Sequence, residues 1–143
     1  MPDLAKLQEL YVHLNPDDQP SSPEDAHAIF ERFLRYPGSM ILVGTVEGKL
    51  VASCTLVVIP NLTRNGRPYA LVENVVTHAQ WRKRGFGTAL LAAAAERAWE
   101  HDCYKVMLMT GSKDPATLAF YGQAGFEQTK TGFQMRRHPV RTS

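Results

Sequence analysis

The chain has 143 residues, 44% hydrophobic and 21% charged, with a net charge of +2; this suits one domain, 1–143, with a real core, and gives no broad basic face for nucleic acid. Two cysteines, Cys54 and Cys103, are too few for a disulfide framework or a metal cluster, and each lies in an apolar run as a small core residue. No apolar run reaches the ~18 residues of a membrane span, and Met1-Pro2-Asp3-Leu4-Ala5-Lys6 lacks the basic start and apolar centre of a signal peptide, so a cytoplasmic protein with no membrane partner is expected.

Leu4, Leu7, Leu10, Tyr11 and Leu14 form a helical stripe over residues 3–14, with Asp3 as a candidate cap. Asn15-Pro16-Asp17-Asp18-Gln19-Pro20 ends it. Ser22-Pro23-Glu24-Asp25 starts a second helix: serine as cap, proline at the first position, acids near the positive end. Its buried face would be Ala26, Ile29, Phe30, Phe33 and Leu34, and Pro37-Gly38 stops it. Strands Met40–Val46 and Leu50–Ile59 flank Glu47-Gly48-Lys49, and Asn65-Gly66 gives a second hairpin signal before a strand 69–77. An alanine-rich helix, 86–101, directs Leu90, Leu91, Ala94, Ala98 and Trp99 to the sheet. It crosses over to a parallel strand at Tyr104–Thr110. Asp114-Pro115 opens a short helix to about Gln123, and Phe126–Gln128 and Phe133–Arg137 close the sheet. The class is α+β: a mixed, mostly antiparallel twisted sheet with helices on both faces.

The organising stretch is Gln80-Trp81-Arg82-Lys83-Arg84-Gly85-Phe86-Gly87-Thr88, between strand 69–77 and the long helix. Glycines let backbone N–H groups approach a ligand closely, and a helix N-terminus adds free donors and partial positive charge. Three cations supply countercharge, so the segment suits a polyanion such as a pyrophosphate.

Arg82-Lys83-Arg84-Gly85-Phe86-Gly87 resembles the acetyl-CoA pyrophosphate loop of the GNAT superfamily of N-acetyltransferases, and Phe120-Tyr121-Gly122-Gln123-Ala124-Gly125-Phe126 is similar to that superfamily's Tyr-x-x-x-Gly-Phe segment, at its usual separation. The likeness covers roughly residues 39–137. It implies the GNAT fold, with the usual first strand short or absent here. It also implies acetyl-CoA as co-substrate, no metal, and direct transfer to a primary amine in a ternary complex. In that superfamily the strand before the glycine loop splays from its parallel neighbour at a bulge, and the pantetheine arm bonds to its backbone. Here Val75, Val76 and Thr77 would offer those groups; plain sheet core is the other reading of Val75-Val76. Arg82, Lys83, Arg84, Gly85, Phe86, Gly87 and Thr88 would hold the pyrophosphate, although Thr88 is equally a first-turn residue.

Tyr121 matches the tyrosine that protonates the leaving thiolate, against a sheet-edge role. A phenol, with a pKa of about 10, is a donor at neutral pH. Glu73 stands where many members carry the carboxylate that deprotonates the amine, against an acid on a wet strand face. Alternation puts Glu73 opposite Val72, Asn74 and Val76. His78 is another candidate base, or a turn residue. Asp114 and Thr117 occupy positions where the superfamily often has Asn and Ala near the CoA arm.

Cys103-Tyr104-Lys105-Val106 and Val72-Glu73-Asn74-Val75-Val76 look like stretches of glucosamine-6-phosphate N-acetyltransferases. The resemblance places the acceptor, a small-molecule amine, near regions that here carry Asp17, Asp18, Arg35, Tyr36, Asn61, Arg64, Arg67, Arg136 and Arg137. Arginines there would bind a phosphate or carboxylate, or be solvated surface. Late strands pair between subunits in this superfamily, which implies a homodimer. The rivals are a non-catalytic acyl-CoA-binding or sensing domain, a protein N-acetyltransferase, and a nucleic-acid module using Arg82-Lys83-Arg84, which the low net charge disfavours.

Overall fold

The structure, a computed structural model, describes residues 4–139. The first described element is helix α1 (Leu4–Tyr11), followed by α2 (Pro23–Leu34). Strands β1 (Met40–Val46), β2 (Lys49–Ile59) and β3 (Tyr69–Thr77) come next, then α3 (Phe86–Glu100), β4 (Val106–Leu108) and α4 (Pro115–Gln123). The sheet order is β1-β2-β3-β4, antiparallel twice and then parallel. The expected meander and crossover are both formed. Among the described residues, no helix is long and apolar enough to cross a membrane.

Local chemistry accounts for most boundaries. Glu47 and Gly48 both take positive φ and form a two-residue turn that pairs Val46 with Lys49. Arg64, Asn65 and Gly66 are left-handed as well, but within a longer loop, 60–68, rather than a tight hairpin. Ser22 caps α2 by accepting from Asp25 N at 3.2 Å. α1 ends earlier than its stripe: residues 12–14 close with tighter bonds such as His13 N to Leu10 O at 3.0 Å, and Leu14 still packs beside Leu7 and Leu10. The candidate cap Asp3 lies outside the described residues.

Helices cover both sheet faces. On one, Leu90, Leu91, Ala94 and Ala98 of α3 pack on Cys54, Leu56, Ala70 and Val72, and Cys103 joins them. On the other, Leu7 and Leu10 of α1 meet Val76, with Ile41 and Leu50 alongside.

Three expectations need correction. Trp99 is about half exposed, because it lies one helical step off the buried Leu90/Leu91/Ala94/Ala98 stripe. On α2 only Ala26 is buried; Ile29 and Leu34 are half exposed, since the helix touches the molecule along a narrow edge. The strands expected at Phe126–Gln128 and Phe133–Arg137 are not formed, and the strand expected at Tyr104–Thr110 is reduced to Val106–Leu108. The alternation of Phe133 and Met135 suits a strand, but a strand needs a neighbour, and both side chains are almost fully exposed, at 94% and 98%.

Candidate active site

The site is built at the end of β3. From Glu73 to Val76, β3 uses one more residue than the facing segment of β2: Thr55 pairs with Glu73, and Ser53 with Val76. Asn74, at φ 51°, absorbs the extra residue as a bulge. On the other side, β4 pairs with β3 only from Ala70 to Val72. Glu73–Thr77 thus runs on past the end of β4, and its backbone faces an opening between the two parallel strands.

The bulge also corrects the alternation argument. Glu73 does lie opposite Val72. Val76, however, faces α1 while Val72 faces α3, so Glu73 and Val76 share the α1 face. Glu73 and Asn74 are exposed, Val76 is buried, and Val75 packs against the α3-side core. Tyr11 of α1 reaches the same face: burial pushes its phenol up, while hydrogen bonding to Thr55 and Ser53 pulls the other way. Tyr11 carried no motif by which the sequence would have revealed it.

Beyond β3, His78 N donates to Val51 O at 2.8 Å, and a 3₁₀ turn follows at Ala79–Trp81. The His78 ring caps that turn by accepting from Gln80 N at 3.1 Å, which favours the turn reading over the base reading. Arg82 is a brace: Nε donates to Thr77 O at 3.2 Å and Nη2 to His13 O at 3.4 Å, tying the loop to β3 and to the end of α1. Arg84 stacks over Trp81 at 4.9 Å, and Lys83 is exposed with φ 62°.

Gly85 is the N-cap of α3, at φ 85°, and no side chain caps the helix. A Cβ on Gly85 would meet nothing within 4 Å. The amides of Phe86, Gly87 and Thr88 belong to the first turn, whose N–H groups have no intrahelical acceptor. Uncapped donors with open space before them, beside Lys83 and Arg84, fit a pyrophosphate.

Gly87 also meets a packing requirement that the sequence did not show. A Cβ there would stand 2.9 Å from Phe120 Cζ and 3.6 Å from Thr77 Oγ1. The residue is small because the Phe120 ring of α4 closes on α3, and that contact seats α4 beside the loop.

Asp114 caps α4 by accepting from Ala116 N at 3.0 Å, so one carboxylate oxygen is engaged by its own helix. Asp114, Thr117 and Tyr121 share one helix face by their spacing. The Tyr121 ring packs with Phe120 at 5.0 Å and edge-on to Phe126 at 6.5 Å, within the α3-side core. Burial pushes its phenol up, which keeps it protonated at neutral pH. Glu73 therefore lies on one face of β3 and Tyr121 belongs to the other.

The candidate acceptor residues are dispersed. Arg64, 5.8 Å over the Tyr104 ring, and Arg67 lie at the opposite end of β3 from the glycine loop. Arg136 donates to His138 O within the exposed C-terminal segment. Among the described residues there is no group of three or more metal-ligating side chains.

A β3 bulge, a parallel partner that stops short, and an uncapped glycine-led helix are the arrangement that the resemblance to the acetyltransferases implies. The chain belongs to the Acetyltransferase (GNAT) family, whose profile matches residues 5–126. It is 51% identical to a putative acetyltransferase from Agrobacterium tumefaciens, with a TM-score of 0.90 over 95% of this chain and 94% of that one. It is 32% identical to the glucosamine 6-phosphate N-acetyltransferase of Trypanosoma brucei brucei, over 87% of this chain and 82% of the relative. An AAC(6')-Iy structure in complex with the bisubstrate analogue CoA-S-monomethyl-acetylneamine shares the fold, at 16% identity and a TM-score of 0.77 over 96% of this chain and 93% of that one.

Proposed function

We propose that this acetyltransferase uses acetyl-CoA and moves the acetyl group to a primary amine of a small molecule by direct transfer in a ternary complex. The observation that carries this reading is the bulge at Asn74 beside the strand gap, next to the uncapped α3. Acetyl-CoA supplies an activated thioester. The α3 amides, Lys83, Arg84 and Thr88 hold its pyrophosphate, while the backbone of Val75, Val76 and Thr77 binds the arm. Arg82 acts chiefly by fixing the loop. Asp114 and Thr117 would contact the arm from the Tyr121 face of α4.

Glu73, on the α1 face, takes a proton from the amine as nitrogen bonds to the acetyl carbon. Tyr121, from the α3 side, gives its phenolic proton to sulfur as the carbon–sulfur bond breaks. One proton leaves nitrogen and one reaches sulfur, so no acetyl-enzyme is needed. Cys54 is deeply buried, with its thiol pushed up to about 11, which fits a core residue and not a nucleophile.

The name of the trypanosomal relative, together with the likeness at 72–76 and 103–106, makes an aminosugar phosphate the first acceptor to test. We take the protein to be a cytoplasmic homodimer in which the C-terminal segment, with Phe133 and Met135 uncovered, meets a second copy.

The test is thiol release from acetyl-CoA across aminosugars, aminosugar phosphates, amino acids, polyamines, aminoglycosides and peptides. Turnover with a small amine is expected. Tight CoA binding without turnover on any amine would replace this reading with an acyl-CoA sensor.

A further inference from the structure

The turn that leads into the glycine loop is held from outside by a residue of α1's trailing turn. Ala79 N donates to His13 Nδ1 at 3.3 Å, and Gln80 N donates to His78 Nδ1 at 3.1 Å. The two imidazoles lie 4.0 Å apart. Arg82 adds its bond to His13 O. Two successive amides of one turn are thus held by two rings in contact, tilted 42° to each other, and the next three residues are Trp81, Arg82 and Lys83.

We infer that His13 is a positioning residue for the glycine loop: its neutral imidazole holds the Ala79–Trp81 turn, and protonation releases that hold. A ring nitrogen accepts a backbone N–H only while it carries no proton, so both rings must be neutral with their hydrogens on Nε2. Protonating His13 at Nδ1 removes the acceptor for Ala79. It also places an imidazolium against His78 and near Arg82.

The groups facing the pair are Lys6 and Glu9 from α1, Lys49 from the start of β2, and Arg82 beyond β3. Glu9 favours the imidazolium; the three cations oppose it. Burial, then His78, then Arg82 hold His13 below the ordinary histidine value. The hold is therefore complete above about pH 6.5 and is lost as pH falls through the depressed value.

This inference rests on the glycine loop being the CoA site, and the experiment separates the two. CoA affinity is measured by calorimetry between pH 7.5 and 5.5 for wild type, His13→Asn and His13→Ala. Asparagine places a non-titrating oxygen near the position of Nδ1. Titration of the 3′-phosphate of CoA is common to all three proteins, so a difference between their profiles comes from residue 13 and what it touches. Wild type should lose at least threefold more affinity across this range than His13→Asn. His13→Ala should bind at least threefold more weakly than either at pH 7.5. Parallel pH profiles in all three proteins would overturn the inference.

In the ligand-free protein, hydrogen exchange at the Ala79 amide should accelerate at low pH, beyond its intrinsic pH dependence, in wild type but not in His13→Asn. The same relative exchange in both would overturn the inference even if CoA did not bind. Failure of wild type to bind CoA at pH 7.5, with the Ala79 difference present, would overturn the cofactor reading and leave the clamp standing.

Discussion

Gly87→Ala puts a methyl group where α3 meets α4. The new Cβ would stand 2.9 Å from Phe120 Cζ and 3.2 Å from Cε1. Carbon atoms in contact settle near 3.5–4.0 Å, so the ring must withdraw by about 0.6–1 Å. Phe120 is packed against the core and against Tyr121, which limits its retreat. Overpacking of this kind costs about 1–3 kcal/mol. Replacing glycine by alanine in a helix returns up to ~1 kcal/mol, and less in a first turn. The net loss should be about 0–3 kcal/mol, a melting shift of up to about ten degrees. The larger effect is on rate: displacement of a catalytic group by ~1 Å can cost about 10²-fold, and Tyr121 adjoins the displaced ring. The assay is thermal unfolding together with kcat, repeated with Phe120→Leu and with the double variant. A coupling of at least ~0.5 kcal/mol between the two sites is expected. A Gly87→Ala protein that melts higher than wild type and keeps full kcat would refute the packing argument.

Glu73→Gln should lower kcat/KM at neutral pH by about 10²-fold or more, the usual scale for a general base, with recovery at alkaline pH as free amine accumulates. A pH–rate profile parallel to wild type would return Glu73 to a surface role. Light scattering at micromolar concentration should report about twice the 16.0 kDa chain mass; a mass near 16 kDa would exclude the homodimer. Phe133→Ser with Met135→Ser should shift that equilibrium toward monomer, because it removes two almost fully exposed apolar side chains of the C-terminal segment.

The fold was legible wherever a local pattern settles the outcome. Ser22-Pro23 starts a helix, Glu47-Gly48 turns a hairpin, and the α3 stripe buries Leu90, Leu91, Ala94 and Ala98. The loop was legible because Gly85, the following helix and the three cations are neighbours in sequence. What alternation could not give was the inserted residue at Asn74, since nothing in Val-Glu-Asn-Val-Val shows which residue will leave the ladder; the bulge then moves Val76 to the α1 face. Nor could spacing separate Arg82, bonded to two carbonyls, from Lys83 beside it. His13 and Tyr11 act across the fold from α1, and Phe120 explains Gly87 only once α4 is seated. The C-terminal alternation led to strands being expected at Phe126–Gln128 and Phe133–Arg137, and neither is formed: alternation marks a segment that could be a strand but does not supply a neighbour to pair with.

Direct acetyl transfer with Tyr121 as the acid is tested by a single-turnover comparison of wild type and Tyr121→Phe. Enzyme in excess over acetyl-CoA is mixed with the active amine, and thiol and N-acetyl product are followed together from neutral to alkaline pH. The phenylalanine ring preserves the packing on Phe120 and Phe126 and loses only the hydroxyl. Thiol and product should appear at the same rate in each protein, with Tyr121→Phe slower by at least ~10-fold, the low side of general acid catalysis. Equal rates for the two proteins at every pH, with CoA binding and fold intact, or thiol release that precedes product, would contradict the account.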